Sequence, residues 1–314
     1  MRVLVTGGAG FIGGNLVRAL IADGHSVGVI DDLSVGTTAN VHPAARFRCL
    51  DILDPGLPEA VADFSPEAVV HLAAQSDVQR SIADPERDRA VNVGGTAAVA
   101  RAAAAAGARR MLSASSAAVY GDPESLPLME SATKRPLNPY GFSKLAAESA
   151  LASELAGTGV DFASMRFANV YGPGQDWRGE GGVVAILAAR LAKEEPPVIF
   201  GDGAQTRDFI YVGDVVAFIM TALASDASLA GAMPDGPAYN VSTGTRTSVA
   251  RLAGLLRSVS GARVEVEYGE PRSGDILHSV LDPGKAAAAF GWQARETLET
   301  GLLATWRWLS ANVG

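Results

Sequence analysis

The chain has 314 residues, 48% of them hydrophobic, a net charge of −8 and one cysteine. Its length and apolar content suffice for a large buried core, either one big domain or a nucleotide-binding domain with a smaller companion, and its acidic balance opposes nucleic acid and anionic membrane surfaces as partners. A lone Cys49 excludes an internal disulfide, His25, His42, His71 and His278 lack metal-ligand spacing, and no long apolar run reads as a signal peptide or membrane span, so a cytoplasmic protein without a metal centre is expected.

Arg2–Thr6 reads as a short buried strand. The segment Gly7-Gly-Ala-Gly-Phe-Ile-Gly13 follows and leads into an apolar-periodic helix over Asn15–Ala22. In that order of strand, turn and helix, Gly7, Gly10 and Gly13 permit a tight turn, close backbone approach to a pyrophosphate and close helix–strand packing, while the helix offers its first N–H groups to the anion. A second strand over Ser26–Ile30 ends in Asp31-Asp32. A carboxylate there hydrogen-bonds a free ribose 2′-hydroxyl and repels a 2′-phosphate, which predicts NAD rather than NADP.

Further strands are expected at Arg46–Leu50, with Cys49 serving only to pack, and at Ala68–Leu72, Arg110–Ala114 and Asp161–Phe167. Alanine is the best helix former, so the run Ala97–Ala108 predicts a helix between two of them. Such alternation predicts an α/β fold with a doubly wound, Rossmann-type parallel sheet covered on both faces. From Asn169 the texture shifts to glycine and proline, with short apolar stretches at Val198–Phe200, Phe209–Val212 and Val264–Tyr268. The expected division is a nucleotide-binding domain over 1–168, with a return segment near 211–242, and a smaller interleaved region over 169–314.

Tyr140-Gly-Phe-Ser-Lys144 lies downstream of the serine cluster Ser113–Ser116. On a helix, this spacing puts phenol and ammonium on one face. A phenol titrates near roughly 10, and a fixed cation one turn away favours phenolate, which turns the tyrosine into a usable base.

Together, Thr6-Gly-Gly-Ala-Gly-Phe-Ile-Gly13, His71-Leu-Ala-Ala74, Asn92-Val93, Ser115-Ser-Ala-Ala-Val-Tyr-Gly121 and Tyr140-Gly-Phe-Ser-Lys144 resemble the extended short-chain dehydrogenase/reductases, nearest the UDP-glucose 4-epimerase-like nucleotide-sugar enzymes. The likeness continues through Arg166–Pro173, Gly201–Phe209, Arg272–Asp275 and Gly291-Trp292. It implies that Tyr140 is the catalytic base, that Lys144 binds the nicotinamide ribose and lowers the tyrosine's pKa, and that Ser116 hydrogen-bonds the sugar hydroxyl. Gly7, Gly10, Phe11, Ile12 and Gly13 would wrap the NAD pyrophosphate, with Asp31 and Asp32 at the adenosine ribose and Asp51 and Ile52 at the adenine. Leu72, Ala73, Ala74, Asn92 and Phe167 would line the nicotinamide half. Asn169, Arg207, Arg272 and Asp275 would hold the nucleoside diphosphate, and Ser76, Gln175, Val183 and Ser279 complete the substrate set.

The same resemblance discriminates among reactions. Related dehydratases carry an Asp-Glu pair after the serine, and decarboxylases keep the glutamate; this chain has Ala117 and Ala118. A 4-epimerase of a UDP-hexose acting through a 4-keto intermediate is implied. A UDP-glucuronate 4-epimerase, a nucleotide-sugar 4-ketoreductase and an inactive NAD-sensing protein stand as alternatives, and the hexose and base stay open. Asp176 would repel a C6 carboxylate, although Arg178 is near, which favours a neutral hexose. Ser279 stands where glucose-only epimerases carry a tyrosine, leaving room for a 2-acetamido group. The alanine-rich helices expected around Val91–Ala106 and Tyr140–Leu155 suit close packing in the homodimer that the resemblance implies.

Overall fold

In chain order, the first half runs β1 (Arg2–Thr6), α1 (Phe11–Ala22), β2 (Ser26–Asp31), β3 (Arg46–Cys49), α2 (Leu57–Phe64), β4 (Ala68–His71), α3 (Val78–Ala83), α4 (Pro85–Arg89), α5 (Thr96–Ala105), β5 (Arg110–Ser116), α6 (Pro139–Leu155) and β6 (Asp161–Phe167). The second half runs β7 (Asn169–Tyr171), α7 (Val183–Ala192), β8 (Val198–Phe200), β9 (Thr206–Arg207), β10 (Phe209–Tyr211), α8 (Val212–Ala224), β11 (Ala238–Val241), β12 (Thr247–Ser248), α9 (Val249–Ser260), β13 (Glu267–Gly269), α10 (Gly284–Phe290) and α11 (Leu298–Ser310). This computed structural model describes residues 1–123, 125–178, 182–230, 236–271 and 276–313.

Seven strands form one parallel sheet in the order β11-β6-β5-β4-β1-β2-β3. Because side chains alternate across a strand, each buried strand feeds two cores. Val3 and Val5 of β1 join Val27 and Val29 of β2 beneath α1 and α8, where Leu16, Leu20, Val215 and Ile219 close the layer. Leu4 points the other way, with Val69 and Met111, toward Leu57 and Val61 of α2, Val99 of α5 and Leu151 of α6. A doubly wound sheet is the outcome, and it takes its last strand, β11, from the carboxyl-terminal half.

A third core joins α7, α9 and α11 through Leu187, Leu191, Leu252, Leu256, Leu302 and Leu309. Three short strand pairs border it: β7 with β10, β9 with β12, and β8 with β13.

The elements follow the sequence expectations closely, and three points differ. β5 runs on to Ser116, so the serine cluster belongs to the strand itself. The helix expected around Val91 is a π-helical turn over Ala90–Gly95 that passes into α5, which ends at Ala105. Cys49 is exposed on the edge strand β3, so a packing role is corrected: this outermost strand is itself mostly exposed.

Candidate active site

Parallel strands deliver their carboxyl ends to one edge of the sheet, and ligands of such folds sit there because the loops and helix amino termini converge on it. Gly7 leaves β1 with φ +72° and donates its N–H to Ile30 O at 2.8 Å. A Cβ on Gly7 would lie 2.6 Å from Ala73 N, and one on Gly13 would collide with Gly7 O and sit 2.7 Å from the Gly8 Cα. Both positions therefore need glycine for close backbone packing. The amino terminus of α1 has no side-chain cap at Gly10 and no acidic residue in its first turn, where Phe11, Ile12 and Gly13 lie. Uncapped amides at the positive end of a helix dipole suit a pyrophosphate, so the cradle fits a dinucleotide.

Asp31 closes β2. One carboxylate oxygen accepts Ala9 N–H and the other Leu33 N–H, both at 2.9 Å, so this side chain also braces the glycine loop. Burial pushes its carboxyl above the ordinary range, and the two backbone donors oppose that rise. Asp32 accepts from the amide and hydroxyl of Ser34. Asp51 pairs with Arg87 at 3.1 Å, and the buried Ile52 follows it just beyond β3. Leu72 and Ala73 hang from Thr6, Leu72 N–H donating to Thr6 O and Ala73 N–H to Thr6 Oγ1. Phe167, at the end of β6, is buried.

Asn138 caps α6 by accepting Gly141 N–H at 2.9 Å, and Pro139 takes the first helical position. This start sets Tyr140 in the first turn and Lys144 one turn later. The Tyr140 amide donates to Ser81 Oγ of α3 at 3.1 Å, and Ser116 at the end of β5 is near enough to the phenol to bear on its ionisation. Lys144 is buried; Nζ donates to Ala114 O at 3.0 Å and lies 6.0 Å from the Tyr140 ring centroid. Burial pushes the phenol above its ordinary value, with Ser116 drawing it down and the Asp88 charge pushing it up. Burial likewise lowers the Lys144 ammonium to about 8, against the pull of Asp88 and Glu148. The arrangement can pass a proton between an alcohol and a phenol set near a serine and flanked by a cation.

Behind this pair lies a polar network in which Asn92 was expected at the nicotinamide half, while Gln75, Asp88, Thr96, Ser143 and Glu148 escaped the sequence reading. Asn92, in the π-turn, accepts Gln75 N–H through Oδ1 and donates through Nδ2 to Gln75 O, Asp88 Oδ1 and Ser143 Oγ at 2.9–3.1 Å. Thr96 Oγ1 donates to Asn92 O, so its oxygen accepts from His71 Nε2; the other ring nitrogen then accepts from Thr6 Oγ1 at 2.7 Å. Burial and the Lys144 charge hold this histidine at about 3, hence neutral. On α6, Glu148 accepts from Ser115 Oγ at 2.6 Å and from Arg166 Nε and Nη2 at 2.9 and 2.7 Å. That buried pair clamps α6 against β5 and β6. The strand alternation of Ser115 and the i+4 step from Lys144 to Glu148 were the available signals.

The expected substrate residues lie along loops beyond the sheet. Ser76 is exposed after β4. Asn169 opens β7, pairing with Phe209 and donating its amide to Asp208 O. Gln175 donates through Nε2 to Val170 O at 3.2 Å, while Val183 begins α7. Arg207 and Ser279 come together: Arg207 sits on β9, Ser279 N–H donates to Thr206 O at 3.1 Å, and Arg207 Nη1 reaches Leu277 O at 3.5 Å. Ala74 lies in the loop after β4. Arg272 and Asp275 fall outside the described residues. Asp176 is bonded to Arg178 Nε at 2.9 Å, so the arginine that the sequence placed nearby offsets its charge. Among the described residues no cluster of metal-ligating side chains occurs, and no helix is long and apolar enough to cross a membrane.

Comparison with known proteins agrees with this geometry. Residues 3–242 match the model of the NAD dependent epimerase/dehydratase family. The chain is 42% identical to the UDP-glucose 4-epimerase of Mycolicibacterium smegmatis over 97% of each chain. Among solved structures, it is similar to the UDP-glucose 4-epimerase of Thermotoga maritima with UDP-glucose (TM-score 0.92, 36% identity, 100% of each chain covered). It is also similar to the UDP-N-acetylglucosamine 4-epimerase of Methanobrevibacter ruminantium in complex with UDP-N-acetylmuramic acid (TM-score 0.92, 32% identity, 99% of this chain and 98% of that chain). With its glycine cradle and its serine, tyrosine and lysine at the carboxyl edge of the sheet, the chain belongs to the NAD-dependent epimerase/dehydratase family.

Proposed function

We infer that this chain is an NAD-dependent 4-epimerase of UDP-hexoses. The observation that carries the reading is Lys144, buried one turn after Tyr140 on α6 with Nζ 6.0 Å from the centroid of the tyrosine ring, next to Ser116 at the end of β5. Tyr140 accepts the proton of the sugar C4 hydroxyl while Ser116 holds that hydroxyl in line, and Lys144 supplies the positive charge that phenolate needs in a poorly solvated site. NAD held over the glycine cradle would supply reversible hydride transfer at C4, and the sugar, as the 4-ketone, would have to turn its opposite face before the hydride returns. Tyr140 then returns its proton to the C4 oxygen, and the chain is restored with no net redox change.

Gly7, Gly10, Phe11, Ile12 and Gly13 are assigned to the pyrophosphate, Asp31 and Asp32 to the adenosine ribose, Asp51 and Ile52 to the adenine, and Leu72, Ala73, Ala74, Asn92 and Phe167 to the nicotinamide half. Asn169 and Arg207, with Arg272 and Asp275, are assigned to the nucleoside diphosphate, and Ser76, Gln175, Val183 and Ser279 to the substrate side. The half-buried serine at 279 supports acceptance of N-acetylated hexoses as well as plain ones. We read 1–168 with a return near 211–242 as the NAD-binding domain and 169–314 as the sugar-nucleotide region, in a cytoplasmic homodimer.

Incubation with UDP-glucose, UDP-galactose and their N-acetylated counterparts, followed by separation of the epimers, tests the reading. Interconversion without accumulation of NADH is expected. Stoichiometric NADH release would reassign the chain as an oxidoreductase, and no turnover of any of the four would overturn the reading.

A further inference from the structure

Asp88 is a carboxylate in the last turn before the π-helix, and only 1% of its surface is exposed. Its Oδ1 accepts from Gln75 Nε2 at 2.8 Å and from Asn92 Nδ2 at 3.1 Å. Oδ2 is equally buried and has no hydrogen-bond partner among the described residues. An asparagine at this position would satisfy Gln75 and Asn92 equally well through its own Oδ1. The hydrogen bonds therefore do not call for a charge, yet a charge is buried here, which is costly unless it interacts with something.

A chain of hydrogen bonds leads from it to the helix that carries Tyr140 and Lys144. Asn92 Nδ2 also donates to Ser143 Oγ at 3.0 Å, and Ser143 Oγ donates to Tyr140 O at 3.0 Å, so Asp88 is tied through two side chains to the first turn of α6. Its negative charge acts on both Tyr140 and Lys144. The other groups around them are already matched or neutral. Glu148 of α6 is engaged by Arg166 of β6, and His71 of β4 is neutral between two threonines. Arg80 of α3 pairs with Asp77, Arg87 of α4 pairs with Asp51, and Glu86 and Arg89 are exposed.

We propose that Asp88 is a positioning residue whose fixed negative charge keeps Lys144 cationic beside Tyr140 and keeps the phenol able to take its proton back. The proposal rests on the epimerase reading for its purpose. In a 4-epimerase the same oxygen serves as base in one half-reaction and as acid in the other, so a phenolate that is too stable would stall the return. Asp88 opposes phenolate while it favours ammonium, the combination that a reversible proton carrier needs.

The test compares the protein as purified with Asp88→Asn, using two readouts. In the first, the bell-shaped pH dependence of UDP-galactose epimerisation moves to lower pH on both limbs, by on the order of one unit, because Lys144 loses its proton earlier and Tyr140 ionises earlier. The second uses no substrate: the near-ultraviolet phenolate signal, taken as a difference against a Tyr140→Phe background, appears at lower pH in Asp88→Asn. A uniform loss of rate with unmoved limbs and an unmoved phenolate titration would leave Asp88 a packing residue only and overturn the proposal. Should the parent protein epimerise nothing while the phenolate titration still moves, the functional reading fails and the electrostatic role stands. If Asp88→Asn does not fold, Asp88→Glu and Asp88→Gln, which differ from each other only in charge, replace it. Folding of the glutamate variant alone would show that the carboxylate serves the fold and would likewise overturn the proposal.

Discussion

Burial drives the Tyr140 phenol toward its neutral form, while Lys144, lowered only to about 8, stays mainly cationic near neutral pH. Tyr140→Phe keeps the ring and removes the proton acceptor; turnover is expected to fall by about 10²–10⁴-fold with NAD still retained. A loss under about tenfold would place the base elsewhere. His71 yields a second expectation at this scale. Its folded value of about 3 lies below the ordinary value of 6.5, so between those limits the unfolded chain binds more protons than the folded one. Stability therefore falls as pH drops through that window, at a limiting slope of about 1.4 kcal/mol per pH unit. Denaturant unfolding at several pH values should show a shallower acid loss in His71→Asn, and equal slopes would mean that His71 is not held neutral. Tyr140, Lys144 and Ser116 were legible because helical spacing and chain order bring them together. Asp88 and His71 were not, because their relation to Lys144 arises from α4 packing on α6 and from β4 lying beside β5, whose Ala114 O takes the Lys144 ammonium.

α6 carries the chemistry on its first turns and the Glu148–Arg166 pair on a later one, so one helix links the site to the sheet. Arg166 is 4% exposed at its side chain, and Glu148 also takes the Ser115 hydroxyl. Removing one partner strands a buried charge, and Arg166→Met is expected to cost about 3–5 kcal/mol. Adding Glu148→Leu should recover much of that loss, because an apolar pair of similar volume avoids the desolvation penalty. The denaturant midpoints of the single and double variants provide the check; an additive loss in the double variant would show that the pair is not one interaction. Apart from the exposed edge strand β3, the sheet strands of the first half were readable as short apolar runs, since they are largely buried on both faces. The π-turn at Ala90–Gly95 was not, because alanine, valine and glycine there fit a regular helix equally well, and the wider turn is tied to the polar contacts of Asn92.

Across the whole molecule, the sequence exposed the first half better than the second. There, strands of two or three residues gain their partners from distant segments, as β9 does from β12 and β8 from β13, and local pattern carries no sign of such pairings. The segment bearing Ser279 is held in this way on two sides. Ser279 N–H bonds to Thr206 O, while Leu281 bridges to Leu128 and Asp282 N–H donates to Leu128 O, so the segment spans from β9 to the loop that follows β5. A wall fixed at both ends has little room to retreat from added volume. Ser279→Tyr is therefore expected to penalise the larger ligand: kcat/KM for the UDP-N-acetylhexoses should drop by about 10–200-fold, the range that pocket volume alone can discriminate, while the plain UDP-hexoses change little. Measuring both pairs on parent and variant checks this. An equal loss on both would mean that the tyrosine disturbs the wall as a whole, and no loss on either would place the 2-acetamido group away from residue 279.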